Sequence, residues 1–254
     1  MSKLISYYFK RDKWILLAMV ACALLSSLLL WNVKDDTFMG AMTILLGVTA
    51  FLFSVVVAPL WLLIRDYKRM YGAYGSFFAA LPLTGKEVIG GRFLWFLIVQ
   101  FVAFIGTAIF IGPPAYRNVE LYEGGRELMY LVTTPIGGKY LTGFILLVIA
   151  GILFGIAAWV FVTSVGSEKP FRRFGIGGPI LLYVGLQIAL NIIVKVIGDA
   201  IGNKSALLVG QVNNLVVANL FLKASIVMSG LMLIVAVVLF MRSVYSHDKK
   251  LSVS

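Results

Sequence analysis

Charge is the first thing this sequence lacks. Asp, Glu, Lys and Arg make up only 13% of its 254 residues against 61% hydrophobic side chains, and the mean hydropathy is +0.97. Soluble globular domains are about a quarter charged, so the composition selects an integral membrane protein. Histidine and cysteine are almost missing, with one of each. A lone His247 rules out the paired histidines of a metalloprotease. A lone Cys22 forms no intramolecular disulfide, offers no paired-cysteine metal spacing and says nothing of redox compartment. The phosphate-binding pattern G-x-x-x-x-G-K-[ST] is absent as well, because Gly85-Lys86 runs into Glu87 and Gly138-Lys139 into Tyr140. The chain therefore carries no nucleotide-hydrolysing loop of that kind.

What is present is apolar sequence in six stretches: 14–33, 38–64, 93–112, 140–165, 176–194 and 224–241. Each is long enough to cross a hydrocarbon core of about 30 Å as a helix. The longest pieces between them have 29, 28 and 27 residues, below the roughly 40 residues an independent core needs. The expectation is an all-α integral membrane protein, one transmembrane domain over 1–254, with no fused soluble catalytic domain. The first stretch ends Leu28-Leu29-Leu30-Trp31-Asn32 without a small-residue cleavage pattern, so it is expected to persist as a span and not to be removed as a signal peptide.

No Asp, Glu, His, Lys or Arg lies inside the six stretches. Ion-coupled carriers need ionisable groups within the bilayer, so this absence argues against one. It also leaves no buried carboxylate pair for acid-base chemistry. Ser26, Ser27, Ser54, Thr107 and Ser164 have no basic partner within the spans, and they read as helix-packing or backbone-bonded hydroxyls. The chain is not expected to be an enzyme by itself.

Sidedness follows from the Lys and Arg residues, of which 15 of 22 fall in the N-terminal segment, the 65–92 loop, the 166–175 loop and the C-terminal tail. Cytoplasmic loops retain such residues, so both termini are expected on the cytoplasmic side. The formal charge of +11 is then topology plus attraction to anionic lipid, and nucleic acid is not an expected partner. Before the first span, Lys3, Ser6, Lys10 and Lys13 recur at helical steps opposite Leu4, Ile5, Tyr8 and Phe9. Residues 1–13 read either as an amphipathic elbow helix lying in the membrane plane or as a plain positive anchor.

The cytoplasmic loop 65–92 reads RDYKRMYGAYGSFFAALPLTGKEVIGGR. It places Tyr67, Tyr71, Tyr74, Phe77, Phe78 and Leu81 where a passive loop would be polar. These aromatics either belt the membrane interface or belong to a helix that docks another protein. Pro82 marks a break, and Thr84 with Glu87 has the spacing of a capping box that starts the next helix.

The string Phe78-Ala79-Ala80-Leu81-Pro82-Leu83-Thr84-Gly85-Lys86-Glu87-Val88-Ile89, followed by Arg92, resembles a segment of the type-two permeases of bacterial ATP-binding-cassette (ABC) exporters. In those permeases it includes or adjoins the coupling helix seated on the ATPase subunit. Gly85 stands before Lys86 where the family often has the basic residue directly after the Ser or Thr. The layout is similar too: an elbow helix, six spans, cytoplasmic termini and an apolar excursion before the sixth span. The resemblance implies coupling to an ATPase through Tyr67, Tyr71, Tyr74, Phe77, Phe78, Leu81, Pro82, Thr84 and Glu87. It implies a separate ATPase subunit that binds ATP and Mg, no cofactor in this chain, and a second permease copy, identical or paralogous. The size and the lack of a large outer domain resemble small exporters of antimicrobial or amphipathic toxin peptides, such as the phenol-soluble-modulin exporters. A peptide or toxin is the expected substrate, with a drug or lipid as the alternative within the same machine. A regulatory or immunity membrane protein without transport is the alternative of another class.

Few polar residues belong to the spans or their edges. Gln187, Asn191 and Lys195 are four apart on one face of the fifth helix, with Gln100 alone in the third. They serve either as interhelical glue or as a polar strip along the substrate path. Gly151 and Gly155 form a GxxxG expected to pack closely. Gly112-Pro113-Pro114 is expected to end the third helix, and the acids that follow it, Glu120, Glu123 and Glu127, to sit on a short solvated helix. Gly198 and Gly202 are expected to break the fifth helix ahead of a re-entrant segment, 198–222, too apolar for a free loop and too polar to face lipid.

Overall fold

The computed structural model describes residues 2–31, 38–71, 83–118, 133–175, 177–206 and 214–251. Every regular element among them is helical. In order they are α1 (Ser2–Trp31), α2 (Phe38–Leu52), a π-helical turn (Phe53–Val57), α3 (Ala58–Tyr71), α4 (Gly85–Asn118), α5 (Pro135–Val165), the one-turn α6 (Lys169–Arg172), α7 (Gly177–Ala206), α8 (Asn214–Ser246) and a last π-helical turn (His247–Leu251). Five helical segments are long and apolar enough to cross a membrane: Leu4–Trp31, Met42–Tyr71, Gly85–Ile109, Pro135–Val165 and Leu215–Lys249. Gly177–Ile193 is a shorter apolar stretch within α7. Helices of this length and composition belong to a multi-pass membrane protein. The chain divides into two compact units, Met1–Leu128 and Met129–Ser254.

In the first unit α1 packs on α4 and on the continuous helix formed by α2, the π-helical turn and α3. The buried positions of α1 are Tyr8, Asp12, Leu16, Met19, Ala23 and Ser26, joined by Ser27. Steps of three and four along that list trace one face of a 3.6-residue helix. On α4 the matching face is Val88, Arg92, Trp95, Val99 and Ala103. Where the three helices meet, the π-helical turn presents Ser54, whose hydroxyl donates to the Met19 carbonyl of α1 at 2.8 Å. Capping at the start of α4 is complete. The Glu87 amide donates to Thr84 Oγ1 at 3.3 Å, and Glu87 Oε2 accepts from the Thr84 amide at 2.9 Å and its hydroxyl at 3.1 Å. This is the expected capping box, and it launches α4 directly into its apolar run.

In the second unit α5 and α8 form the main seam, with α7 packed on α5. The buried face of α8 is almost all small: Ala218, Ser225, Ser229, Ala236, Ser243 and Ser246, joined by Leu239. Small side chains let membrane helices approach backbone to backbone. At Gly143 of α5, a Cβ would lie 2.8 Å from the Phe221 ring and 2.9 Å from Ser225 Oγ, so no larger residue fits without displacement. Thr134 caps α5 by accepting from the Gly137 amide at 3.1 Å, with Pro135 in the first turn. At the far end the chain turns back so tightly that a Cβ on Gly166 would meet the Pro179 nitrogen at 2.7 Å.

Four expectations about local structure change. Of the expected elbow helix 1–13, residues 2–13 are the start of a continuous α1 and not a separate helix, because the face carrying Tyr8 and Asp12 extends the same buried stripe that runs to Ser26. Helix α4 continues past Pro113 and Pro114 to Asn118, since a membrane helix tolerates the loss of single backbone bonds at proline. Gly198 and Gly202 lie within α7; a glycine weakens a helix by about 1 kcal/mol without ending it. Residues 198–206 thus prolong α7 and 214–222 open α8, while 207–213 lie outside the described residues. Finally, the GxxxG glycines make no close approach: a Cβ on Gly151 or Gly155 meets no described atom within 4 Å.

Candidate functional site: a buried charge cluster at the roots of the α3–α4 loop

Of the five acids in the Lys- and Arg-rich segments of the sequence, Asp12, Asp66, Glu87, Glu168 and Asp248, three are buried: Asp12, Asp66 and Glu168. The first two lie at the end of unit 1 that carries the N-terminus, where α1 begins, α3 ends and α4 starts. Asp66 Oδ1 accepts from the Tyr8 hydroxyl at 3.0 Å, and Asp66 Oδ2 accepts from both Nε and Nη2 of Arg92 at 2.8 Å. Arg92 also reaches the last residue of α3, donating from Nη1 to the Tyr71 hydroxyl at 2.9 Å. Tyr8 stacks on Trp95 with ring centroids 5.5 Å apart. Tyr8, Asp66 and Arg92 are each no more than 1% exposed.

A second carboxylate extends the cluster. Asp12 is held by its neighbour Arg11 through both oxygens, and its Oδ1 accepts from Arg65 Nη1 of α3 at 3.0 Å. The Arg11 guanidinium lies 4.7 Å above the Tyr8 ring. Farther out, Arg69 donates to the Tyr7 hydroxyl at 3.3 Å. Two residues of α3, Arg65 and Asp66, therefore bond back to α1 one turn apart, at Asp12 and Tyr8. Charges taken this far from water cost several kcal/mol apiece unless paired and fully hydrogen-bonded. Here every carboxylate oxygen of Asp12 and Asp66 has a donor.

Chemically this arrangement holds helices together. Each carboxylate is engaged by an arginine, which is never a proton donor of use near neutral pH, so acid-base work is not its business. Among the described residues no three His, Cys, Asp or Glu side chains gather as a metal site.

The residues picked out from the sequence for coupling divide accordingly. Tyr67 and Tyr71 lie on the last turns of α3 with their rings 5.7 Å apart, and Tyr71 joins the cluster through Arg92. Thr84 and Glu87 form the capping box. Tyr74, Phe77, Phe78, Leu81 and Pro82 lie outside the described residues. Of the polar strip, Gln187 is half-buried while Asn191 and Lys195 are exposed on α7; Gln100 is half-buried on α4, in the other unit. The hydroxyls read as packing groups behave so: Ser26 donates to the Ala23 carbonyl at 2.7 Å and Thr107 to that of Ala103 at 3.0 Å.

Sequence reasoning passed over Asp12 and Asp66, placed Tyr8 on the apolar face of the N-terminal helix, and named Arg92 as a positive charge and as the end of the permease-like segment, with no partner for either. A signal was there: Asp12, Asp66 and Glu168 each lie in a segment rich in Lys and Arg, where an acid finds a cationic partner. The same holds in unit 2, where Glu168 accepts from Arg242 Nη2 of α8 at 2.7 Å. No family model, no curated protein and no solved structure matches this chain.

Proposed function

We propose that this chain is the membrane-spanning subunit of an ATP-driven ABC exporter. It would cross the membrane six times, with α7 providing the fifth crossing, and have both termini in the cytoplasm of a bacterial cell. The observation that carries the proposal is the loop between α3 and α4. An aromatic-rich segment ends in Leu81-Pro82-Leu83-Thr84-Gly85-Lys86-Glu87 and runs into a helix with a full capping box. A loop that only joined two spans needs neither the aromatics nor so firm a base. Energy would come from a separate ATPase subunit that binds ATP and Mg, since this chain has no phosphate-binding loop and its apolar runs hold no driving-ion site. Two permease copies would enclose a path for an amphipathic substrate, a peptide or toxin.

The test is purification of the tagged chain from its native membrane. A stoichiometric ATPase whose hydrolysis rises with an amphipathic peptide supports the proposal; a drug or lipid giving the larger rise shifts the substrate class. A chain that purifies without any ATPase, from membranes where it is functional, overturns transport and favours a regulatory or immunity role. On the same material, Phe77→Asp or Phe78→Asp should release the ATPase, because an unpaired carboxylate in an apolar contact costs several kcal/mol, while insertion stays normal.

A further inference from the structure

We propose that Asp66 and Arg92, with Tyr8, are positioning residues for energy coupling: they fasten the two roots of the α3–α4 loop to each other and to α1, so that a displacement of that loop moves three helices as one body. The proposal rests on the reading of the chain as a permease driven by a separate ATPase.

Three observations on unit 1 lead there. The first is placement. Asp66 lies five residues before the end of α3 and Arg92 seven residues after the start of α4, so their ion pair closes the base of the loop that connects them. Arg92 bonds in addition to Tyr71, the last residue of α3. The second is valence. Asp66 accepts from two different helices, Tyr8 of α1 and Arg92 of α4, and Arg65 beside it ties α3 to Asp12 of α1. A single ion pair joins two elements; this set cross-links three, with bonds in several directions that oppose sliding as well as separation.

The third is cost. A buried ion pair is generally no more stabilising than well-packed apolar residues of the same volume. Between apolar helices, leucine and alanine would have held the joint equally well. What charged, hydrogen-bonded groups add is a fixed geometry, because bonds of 2.8 to 3.0 Å tolerate far less rotation than an apolar contact. Geometry of that kind matters at a place where motion is handed from one element to another.

The experiment uses the permease together with its ATPase in lipid nanodiscs, comparing wild type with Asp66→Asn, Arg92→Gln and the milder Tyr8→Phe. The ATPase should co-purify at unchanged stoichiometry and hydrolyse ATP at near the wild-type basal rate. Peptide-stimulated hydrolysis and transport per ATP should fall about tenfold in Asp66→Asn and Arg92→Gln, and a few-fold in Tyr8→Phe. Arg92→Lys, which keeps the charge and one bond, should recover part of the loss. A fall in transport that matches loss of bound ATPase or of folded protein overturns the proposal, since the cluster is then structural only. Unchanged transport per ATP in all the variants overturns it too.

A second measurement does not depend on the ATPase. Spin labels at exposed Lys68 and Lys86, in a Cys22→Ser background, should give one narrow distance in the wild type and a broad distribution in Asp66→Asn and Tyr8→Phe. If no ATPase partner exists but the distribution broadens, the functional reading fails and the joint stands; if it stays narrow, the joint itself is wrong.

Discussion

The two units of the chain solve one physical problem in opposite ways. Each must hold long helices together where water is scarce and apolar burial no longer drives association. Unit 1 does so with formal charges at one end of its helices: Asp12, Asp66 and Arg92 are buried among Tyr8, Trp95 and two further arginines. Unit 2 does so along its length with alanine, serine and glycine, and among the described residues keeps one ion pair, Glu168 with Arg242, whose arginine is still 34% exposed. Directional bonds fix angles and resist rearrangement, whereas a seam of small side chains gives close contact without fixing the angle as strictly. A chain that uses both can be stiff at one place and adjustable at another.

The largest effect that separates the two should come from Arg92→Ala. Among the described residues it leaves the Asp66 carboxylate with only Tyr8 to hydrogen-bond it, a loss of about 3–5 kcal/mol. Thermal unfolding of the purified chain in nanodiscs measures it. Replacing the pair together, Asp66→Leu with Arg92→Met, should return most of that stability; if it does not, the charges contribute more than geometry. Gly143→Leu comes next, at about 1–3 kcal/mol, because the side chain must displace Phe221, whereas Gly155→Leu should change stability by only a few tenths. Equal losses at the two glycines would mean that α5 and α8 meet along a different line. Glu168→Gln should cost less than about 1 kcal/mol, since partly exposed Arg242 can be hydrated once its partner is gone. Smallest of all are Ser225→Ala and Ser229→Ala. Both hydroxyls are buried without a partner among the described residues, so removing them should leave stability unchanged or raise it by up to about 1 kcal/mol. A clear loss in either would show that these hydroxyls bond across the seam.

Much of the helical layout is legible in the sequence. Apolar runs of membrane length give the helices, and Thr84 with Glu87 gives the start of α4, because both signals are local. The charge cluster is not local. Tyr8 and Asp66 are 58 positions apart, Asp66 and Arg92 are 26 apart, and Glu168 and Arg242 are 74 apart. Nothing in the neighbourhood of Asp66 names its partners; only its sign, on a side rich in Lys and Arg, marks it as a residue that needs one. Glycine and proline misled for the converse reason. At Gly198, Gly202 and Pro113 a local signal for breakage is outweighed by a helix that continues on either side, and at Gly151 and Gly155 a motif for contact has no neighbour to meet among the described residues.

The π-helical turn at Phe53–Val57 has a consequence for the phase of the second membrane helix. The buried residues of α3 are Ala58, Leu62, Asp66 and Met70, a strict four-residue repeat. On an α-helix with about 100° per residue such a repeat creeps by about 40° at every step. Ser54 and Asp66, twelve residues apart, would point about 120° away from each other. A π turn accommodates one extra residue, and removing one residue's rotation brings the two to within about 20°. Ser54 can therefore face α1 at Met19 while Asp66, three turns on, faces Tyr8 and Arg92. The π turn thus absorbs a surplus residue without disturbing the phase of the arm, and deleting Val56 should leave a regular, still apolar helix in which Ser54 and Asp66, then eleven residues apart, keep their directions to within about 20°.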